Sequence, residues 1–551
     1  MRRLSLILVV IPAIAAAQPR MSPADSLARA IDRVFDGWRD TEGPGCAVGV
    51  SRNGRSVYER GYGMANLETA TPIRPSSIFH VASVSKQFTA AAIMLLARDG
   101  KLSVDDDIRK YLPEMPSYGT PITIRHLLTH TSGLRDQWSL LALARGRFEE
   151  DRITEADVMD IVPRQTALNF KPGAEYVYSN TGFTLLAVIV KRVSGQSLRE
   201  FADQRIFKPL GMTSTHFHDD YTMLVPGRTS AYEPRDGALG WRVGIPNFDV
   251  YGATSLFTTV GDLLKWEANL DKPVVGDAEM VSRMQMPTPL TTGDTSNYGF
   301  GLTMSRYRGA RVVEHNGADA GYRSYVGRFP ELGVGIAIEC NGATANTTAL
   351  ARGVADAVLR GELGPAQAEV MPQATATVSA ELLARRAGVY VQPTTLQIVE
   401  LSVRNGALIM GRQAGPALVP VSENRFRMPG QPVELVFANG EHAGFDRAAP
   451  GVKPVTYEWR QSVAPTKAVL SAFAGRYVSD ELGGAIYRVT ATDSTIELAT
   501  GTSTPFPARP VFANTFLGAG YTIQFSEAKS RVTGFEITDS RMRRVKFVRM
   551  P

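Results

Sequence analysis

Cysteine is almost absent from this chain: two residues in 551, Cys46 and Cys340. So small a number excludes a disulfide framework and a thiolate metal centre. It leaves two buried thiols or, in an oxidising compartment, one bridge between them. Charge of one sign is scarce too. The formal net charge is only +6, Arg2 and Arg3 supply part of it, and no basic patch is concentrated enough for nucleic acid. The late run "RMRRVKFVR" (541–549) alternates charge with apolar residues and reads as a solvated strand face. No apolar run is long enough to span a bilayer comfortably. The first one, in "MRRLSLILVVIPAIAAAQPR", follows two arginines, covers 4–14 and leads to Ala15-Ala16-Ala17, the pattern of a secretory leader. No cysteine follows that cleavage site, so neither a lipid anchor nor another stable membrane anchor is expected. Residues 1–17 are read as the leader.

What is present is an ordinary globular composition, 44% hydrophobic and 21% charged. The length exceeds one core, so several domains are expected. An amphipathic helix is expected over 23–38. "GCAVGVSRNGRSVYERGYG" reads as a hairpin turning at Arg52-Asn53-Gly54. A mostly helical block follows from 83 to about 268, and strand signals return in "YGFGLTMSRY", "ARVVEHNG", "GYRSYVGRFP" and "GVGIAIECNG". Strands from both ends of this region flank the helices, which suggests one mixed sheet packed against them.

Beyond 363 the chain turns Pro/Ala/Thr/Gln-rich, a linker expected over 363–380, and then an internal repeat appears. "ARRAGVYV" at 384 is matched by "SAFAGRYV" at 471, and "AGFDR" at 443 by "TGFEI" at 533, about 90 residues on in the same order. Two small antiparallel barrels are expected, over 381–462 and 463–551. The preceding domain spans 18–362.

Three stretches of that domain bear on chemistry: Ser83-Val84-Ser85-Lys86, then Tyr178-Ser179-Asn180, then His315-Asn316-Gly317 on an expected strand. Ser83 and Lys86 share one face at the head of a helix. An acyl transfer needs a nucleophile, a base, an oxyanion pocket and substrate clamps. Ser83 suits the first role and Lys86 the second, provided that burial lowers its amine from the usual value of about 10.4. The Tyr178 phenol suits a proton relay, and Asn180 could hold Lys86 or a substrate amide. Oxyanion donors would be the backbone N–H groups of Ser83 and Ala318, each typically worth about 3 kcal/mol. Gly317 suits a strand that substrate must approach closely. Ser85 sits one residue from Lys86 and would face away from it. Each residue alone has an ordinary structural explanation; the three stretches together are far more specific. "HLLTH" (126–130) lacks the Glu of a metalloprotease, so His126 and His130 read as capping or core residues. His216-Phe217-His218-Asp219-Asp220 reads as a polar surface loop. No metal is expected, and no Gly-x-Ser-x-Gly elbow occurs.

With "TIRHLLTHTSGL" (123–134), "YSNTGFTLL" and "FTTVGDLLKW" (257–266), these motifs resemble the penicillin-recognising serine hydrolases over about 23–360. That family comprises class C β-lactamases, D-alanyl-D-alanine carboxypeptidases and related esterases and D-aminopeptidases. The resemblance implies an α+β, transpeptidase-like fold in which an antiparallel sheet lies beside an all-helical lobe with the site between them. It implies an exported bacterial enzyme, periplasmic or secreted, that needs no cofactor and acts on a small-molecule or peptide amide or ester; a homodimer is compatible with it. Where the family usually has Lys, this chain has His315, mostly neutral near pH 7. A carboxylate clamp is thereby lost. His315 with two barrels resembles the D-aminopeptidase branch, whose substrates carry a free amine; Asn180, Asp319 and backbone carbonyls are candidates to bind it. A broad serine esterase of the same fold is the alternative, and a ligand-sensing module without catalysis a further one.

Overall fold

The computed structural model describes residues 23–147, 150–235, 240–365, 376–412, 415–449, 452–501 and 503–551. The expected leader and residues 366–375 of the expected linker lie outside the described residues.

The first helix runs Pro23–Val34 and is followed by a 3-10 turn, Asp36–Trp38. The hairpin pairs Cys46–Arg52 with Arg55–Tyr62. Asn53 and Gly54 both have positive φ, 52° and 75°, which is what a two-residue turn between twisted strands requires. These strands form one edge of a six-stranded sheet. Its order is Thr303–Tyr307, Ala310–Asp319, Tyr322–Phe329, Val334–Cys340, Cys46–Arg52, Arg55–Tyr62. Every pair is antiparallel, so the sheet is not mixed. Cys46–Arg52 lies one strand in from the edge, with both faces covered. Val48 and Val50 join Ile31, Phe35 and Val354 of the flanking helices, while Ala47 joins Leu263 and Trp266 on the other side. Strands buried on both faces read as nearly continuous apolar runs, and this one does.

Cys46 stands opposite Cys340 in the register, and the two form a disulfide. The bond joins segments 294 residues apart.

The helical lobe is built on Lys86–Arg98, buried from residue 86 to 96, which packs against Asn180–Ser194. No helix among the described residues is long and apolar enough to cross a membrane.

The C-terminal third is two eight-stranded antiparallel sheets. Strands from Gly475–Ser479 to Val545–Arg549 close into a barrel. Strands from Gly388–Val391 to Val452–Arg460 form the other, its two edges joined by a bridge between Ile409 and Ala417. The repeat is physical. Tyr390 donates to the Arg386 carbonyl at 2.9 Å and Tyr477 to the Phe473 carbonyl at 2.7 Å. Each ring then packs, at 4.9 Å between centroids, on the Phe of its repeat, Phe445 or Phe535.

Replacing both cysteines, Cys46→Ala with Cys340→Ala, is expected to cost the catalytic lobe about 2–4 kcal/mol, the usual contribution of a bridge closing a long loop. Denaturant unfolding measures this as an earlier midpoint. An unchanged midpoint would mean that strand pairing alone secures the sheet.

Candidate functional site

The backbone turns sharply just before Ser83. Ala82 has φ 47°, a left-handed conformation that costs a residue with a Cβ. A 3-10 turn, Ala82–Ser85, then leads into the helix at Lys86. Within this turn Ser83 alone keeps partial exposure. Ser85 is fully buried, donates to the Ala82 carbonyl at 2.5 Å and accepts from Leu256 N–H, so it is structural. The strand Ala310–Asp319 presses on the turn through Gly317. A Cβ there would stand 2.4 Å from the Val81 oxygen and 3.0 Å from the Ser83 nitrogen, so only glycine fits. The next residue, Ala318, is exposed beside it, as is Asn316.

Lys86 is wholly buried. Its amine donates to Ser83 Oγ at 3.0 Å, to Asn180 Oδ1 at 2.9 Å and to the Ala253 carbonyl at 2.7 Å. Burial drives its pKa down to about 7; Asp319 and Asp136 pull it up and Arg541 pushes it further down. The Tyr178 ring lies under the amine at 4.8 Å. Burial holds the Tyr178 phenol well above its usual pKa, with Ser83 as its hydrogen-bonding neighbour. Adjacent groups are thus tuned apart, an amine that loses its proton near pH 7 beside a phenol that keeps its own.

The structure therefore brings Ser83, Lys86, Tyr178, Asn180, Gly317 and Ala318 together. His315 is near but occupied. It is 4% exposed, its Nδ1 faces the Asn316 carbonyl at 2.6 Å and its Nε2 the Tyr298 hydroxyl at 2.9 Å. Burial first, then Lys86, lowers its pKa to about 3, so it is a neutral hydrogen-bonding post.

Several contributors escape a reading of the sequence. Asp136 accepts from Asn180 N at 2.7 Å and from Asn180 Nδ2 at 3.0 Å, and so aims the amide oxygen at Lys86. His130, with φ 57°, stacks on Tyr178 at 4.2 Å, and its Nδ1 accepts from Ser179 N at 3.1 Å. It is a core histidine, as expected, and His126 caps its helix by accepting from Thr123 N. Asp319 accepts from Thr254 and faces His80 at 2.9 Å. His216–Phe217 is a short strand rather than a surface loop, and His218 is buried, its pKa pushed down to about 3 by burial.

The largest departure concerns 541–544, read above as a strand face. These residues form the loop before the last strand, and the loop enters the site. The Arg541 guanidinium lies 5.1 Å from the Tyr178 ring centroid. The Arg541 carbonyl accepts from Asn169 Nδ2 at 2.8 Å and Asp136 N at 3.3 Å. Buried Arg135 donates to the Arg543 and Arg544 carbonyls and pairs with Glu481 of the closed barrel at 2.7 Å. Arg543 pairs with Glu175 at 2.8 Å.

The Beta-lactamase family matches residues 30–359, a span that contains every group above except those of the barrel. The chain belongs to the beta-lactamase family. It is 32% identical over 287 residues to a D-aminopeptidase of Gluconobacter oxydans (strain 621H), covering 51% of this chain and 53% of that protein. It thus spans about half the length of the D-aminopeptidases it matches. It is 29% identical over 416 residues to Penicillin-binding protein 4* of Bacillus subtilis (strain 168), covering 72% of this chain and 90% of the other. Among solved structures, the octameric penicillin-binding protein homologue from Pyrococcus abyssi aligns with a TM-score of 0.57 at 22% identity, over 79% of this chain and 100% of that one. The D-amino acid amidase from Ochrobactrum anthropi SV3, complexed with L-phenylalanine amide, aligns at 0.52 and 24%, over 61% and 99%. At these identities the solved structures establish the fold alone.

With Lys86 as the base, its charge state is expected to set a pH dependence in this beta-lactamase-family site. A base with a pKa near 7 is neutral above it, so kcat/KM should rise through about pH 7 and level off above. Asp136→Asn removes an anion that favours the ammonium, and should move that rise to lower pH. A rise that stays in place, measured on one substrate across both proteins, would mean that Lys86 is not the titrating base.

Proposed function

We propose that this protein is an exported serine hydrolase that acts through an acyl-enzyme and releases N-terminal D-amino acids from peptides, amides or esters. The observation that carries the reading is the buried Lys86 amine, 3.0 Å from Ser83 Oγ with a pKa of about 7. In this reading the neutral amine takes the Ser83 proton as Oγ attacks the substrate carbonyl. The backbone N–H groups of Ser83 and Ala318 receive the oxyanion. As the C–N bond breaks, Tyr178 gives its proton to the leaving amine and is reprotonated from Lys86. Water, deprotonated by the same pair, attacks the ester and frees Ser83.

The D-aminoacyl assignment rests on likeness to D-aminopeptidases and on the charges at the site. His315 is neutral and supplies no cation on its strand. Of the candidates for a substrate ammonium, Asn180 is taken by Lys86 and Asp136. Asp319 also has partners, Thr254 and His80, but it is an anion that acts on the Lys86 amine, and it is the group we assign to the substrate ammonium. Export rests on the leader-like residues 1–17 and on the cystine, which persists in oxidising compartments.

Release of p-nitroaniline from D-alanine p-nitroanilide, beside its L-enantiomer, tests the reading. We expect D-selective turnover that Ser83→Ala lowers at least about 1,000-fold. Cleavage of p-nitrophenyl acetate through Ser83 without any anilide turnover would make the protein a serine esterase instead. Silence on all three substrates would favour a sensor.

A further inference from the structure

Arg541 is unlike the other arginines of its loop. Arg543 is paired with Glu175, and Arg544 donates to the Pro393 carbonyl. Arg135, which grips the loop from the helical lobe, is paired with Glu481. Arg541 is exposed and has no carboxylate partner among the described residues; its guanidinium lies over the ring of Tyr178. Its backbone is nevertheless held on three sides. The Arg541 and Asp539 groups close a turn, Arg541 N donating to Asp539 Oδ1 at 2.7 Å, and the carbonyl is fixed by Asn169 and Asp136. A cation whose backbone is already fixed at the mouth of a reaction site has only its side chain left to order on binding an anion.

Its place relative to the chemistry fixes which part of the substrate it addresses. In the reading above Tyr178 protonates the leaving nitrogen, so a cation 5.1 Å from its ring centroid stands near the leaving group. Asp319, assigned to the substrate ammonium, acts on Lys86 in the opposite sense to Arg541. The site therefore carries one anion and one cation near the Lys86 amine, and of the two only Arg541 lies against Tyr178.

We propose that Arg541 is a carboxylate subsite on the leaving-group side, which makes short peptides with a free C-terminal carboxylate next to the scissile bond the preferred substrates. In a dipeptide that carboxylate is two bonds from the leaving nitrogen, and guanidinium recognises carboxylate through paired N–H donors. The proposal rests on the D-aminopeptidase reading for its acyl half and on the position of Arg541 for its leaving half.

The test compares two substrates that differ only in the terminal charge, D-alanylglycine and D-alanylglycine amide, with wild type, Arg541→Gln and Arg541→Lys. Wild type should favour the free acid by about tenfold or more in kcat/KM, the discrimination a charge-assisted hydrogen bond supplies. The preference should vanish in Arg541→Gln, survive in part in Arg541→Lys and shrink with added salt. Because Arg541 also acts on Lys86, the ratio between the two substrates is the readout, not either rate. A wild type indifferent to the carboxylate, or an Arg541→Gln enzyme that keeps the preference, would overturn the proposal. A second pair, the acetyl thioester of thioglycolic acid and that of its amide, asks the same question without a D-amino acid. Acid preference there, with no turnover of D-alanyl peptides, would uphold the subsite and reject the D-aminopeptidase reading; indifference there would overturn the subsite.

Discussion

A primary amine without water around it is the constraint on which this site depends. Lys86 occupies the first turn of a helix that is buried over its first eleven residues, and nothing nearby is a close ion-pair partner. Its three acceptors are a hydroxyl, an amide oxygen and a backbone carbonyl, which tolerate a neutral amine and an ammonium alike. A carboxylate in any of those places would lock the charge on. The two that do act, Asp136 and Asp319, are kept one group away, behind Asn180 and beside Thr254. Desolvation then wins, and the amine is poised near neutrality instead of at its solution value.

The neighbouring residues Arg135 and Asp136 join that site to the last barrel. Arg135 spends most of its guanidinium on the barrel: Nε and Nη2 on two loop carbonyls and Nη1 on Glu481, with Gln165 of its own lobe also accepting from Nη1. Asp136 faces the other way and orders Asn180. A buried ion pair is an uncertain source of stability, but it is costly to break and geometrically selective. Here it fixes where the loop at 539–544 can lie, and hence where Arg541 meets Tyr178.

The parts legible in the sequence were those encoded locally. Ser83 and Lys86 share a face because residues three apart align on a 3-10 turn, and Gly317 stands where a Cβ would strike the Ser83 turn. The barrel repeat was legible because Tyr390 and Tyr477 perform one task with one spacing. The rest is set by partners far along the chain. Asp136 looks like a helix cap, which it also is, its side chain accepting from Trp138 N. Arg541 and Arg543 alternate with apolar residues as a strand would, yet Met542 turns inward to the core and both arginines cross to the other lobe. Likewise, no local signal distinguishes a paired Cys46 from a free one, because the pairing is a matter of sheet register.

The grip of Arg135 on the loop also orders events in time. Arg135 and Arg543 are 408 positions apart. At about 5–20 residues per second, a ribosome needs about 20–80 s to travel between them. The sheet that completes the site ends at Cys340, so the chain from there to the loop at 539–544 must still be made before the Arg541 cation can lie against Tyr178. A chain that lacks its last barrel therefore has the Ser83 turn and Lys86 but not the cation beside Tyr178.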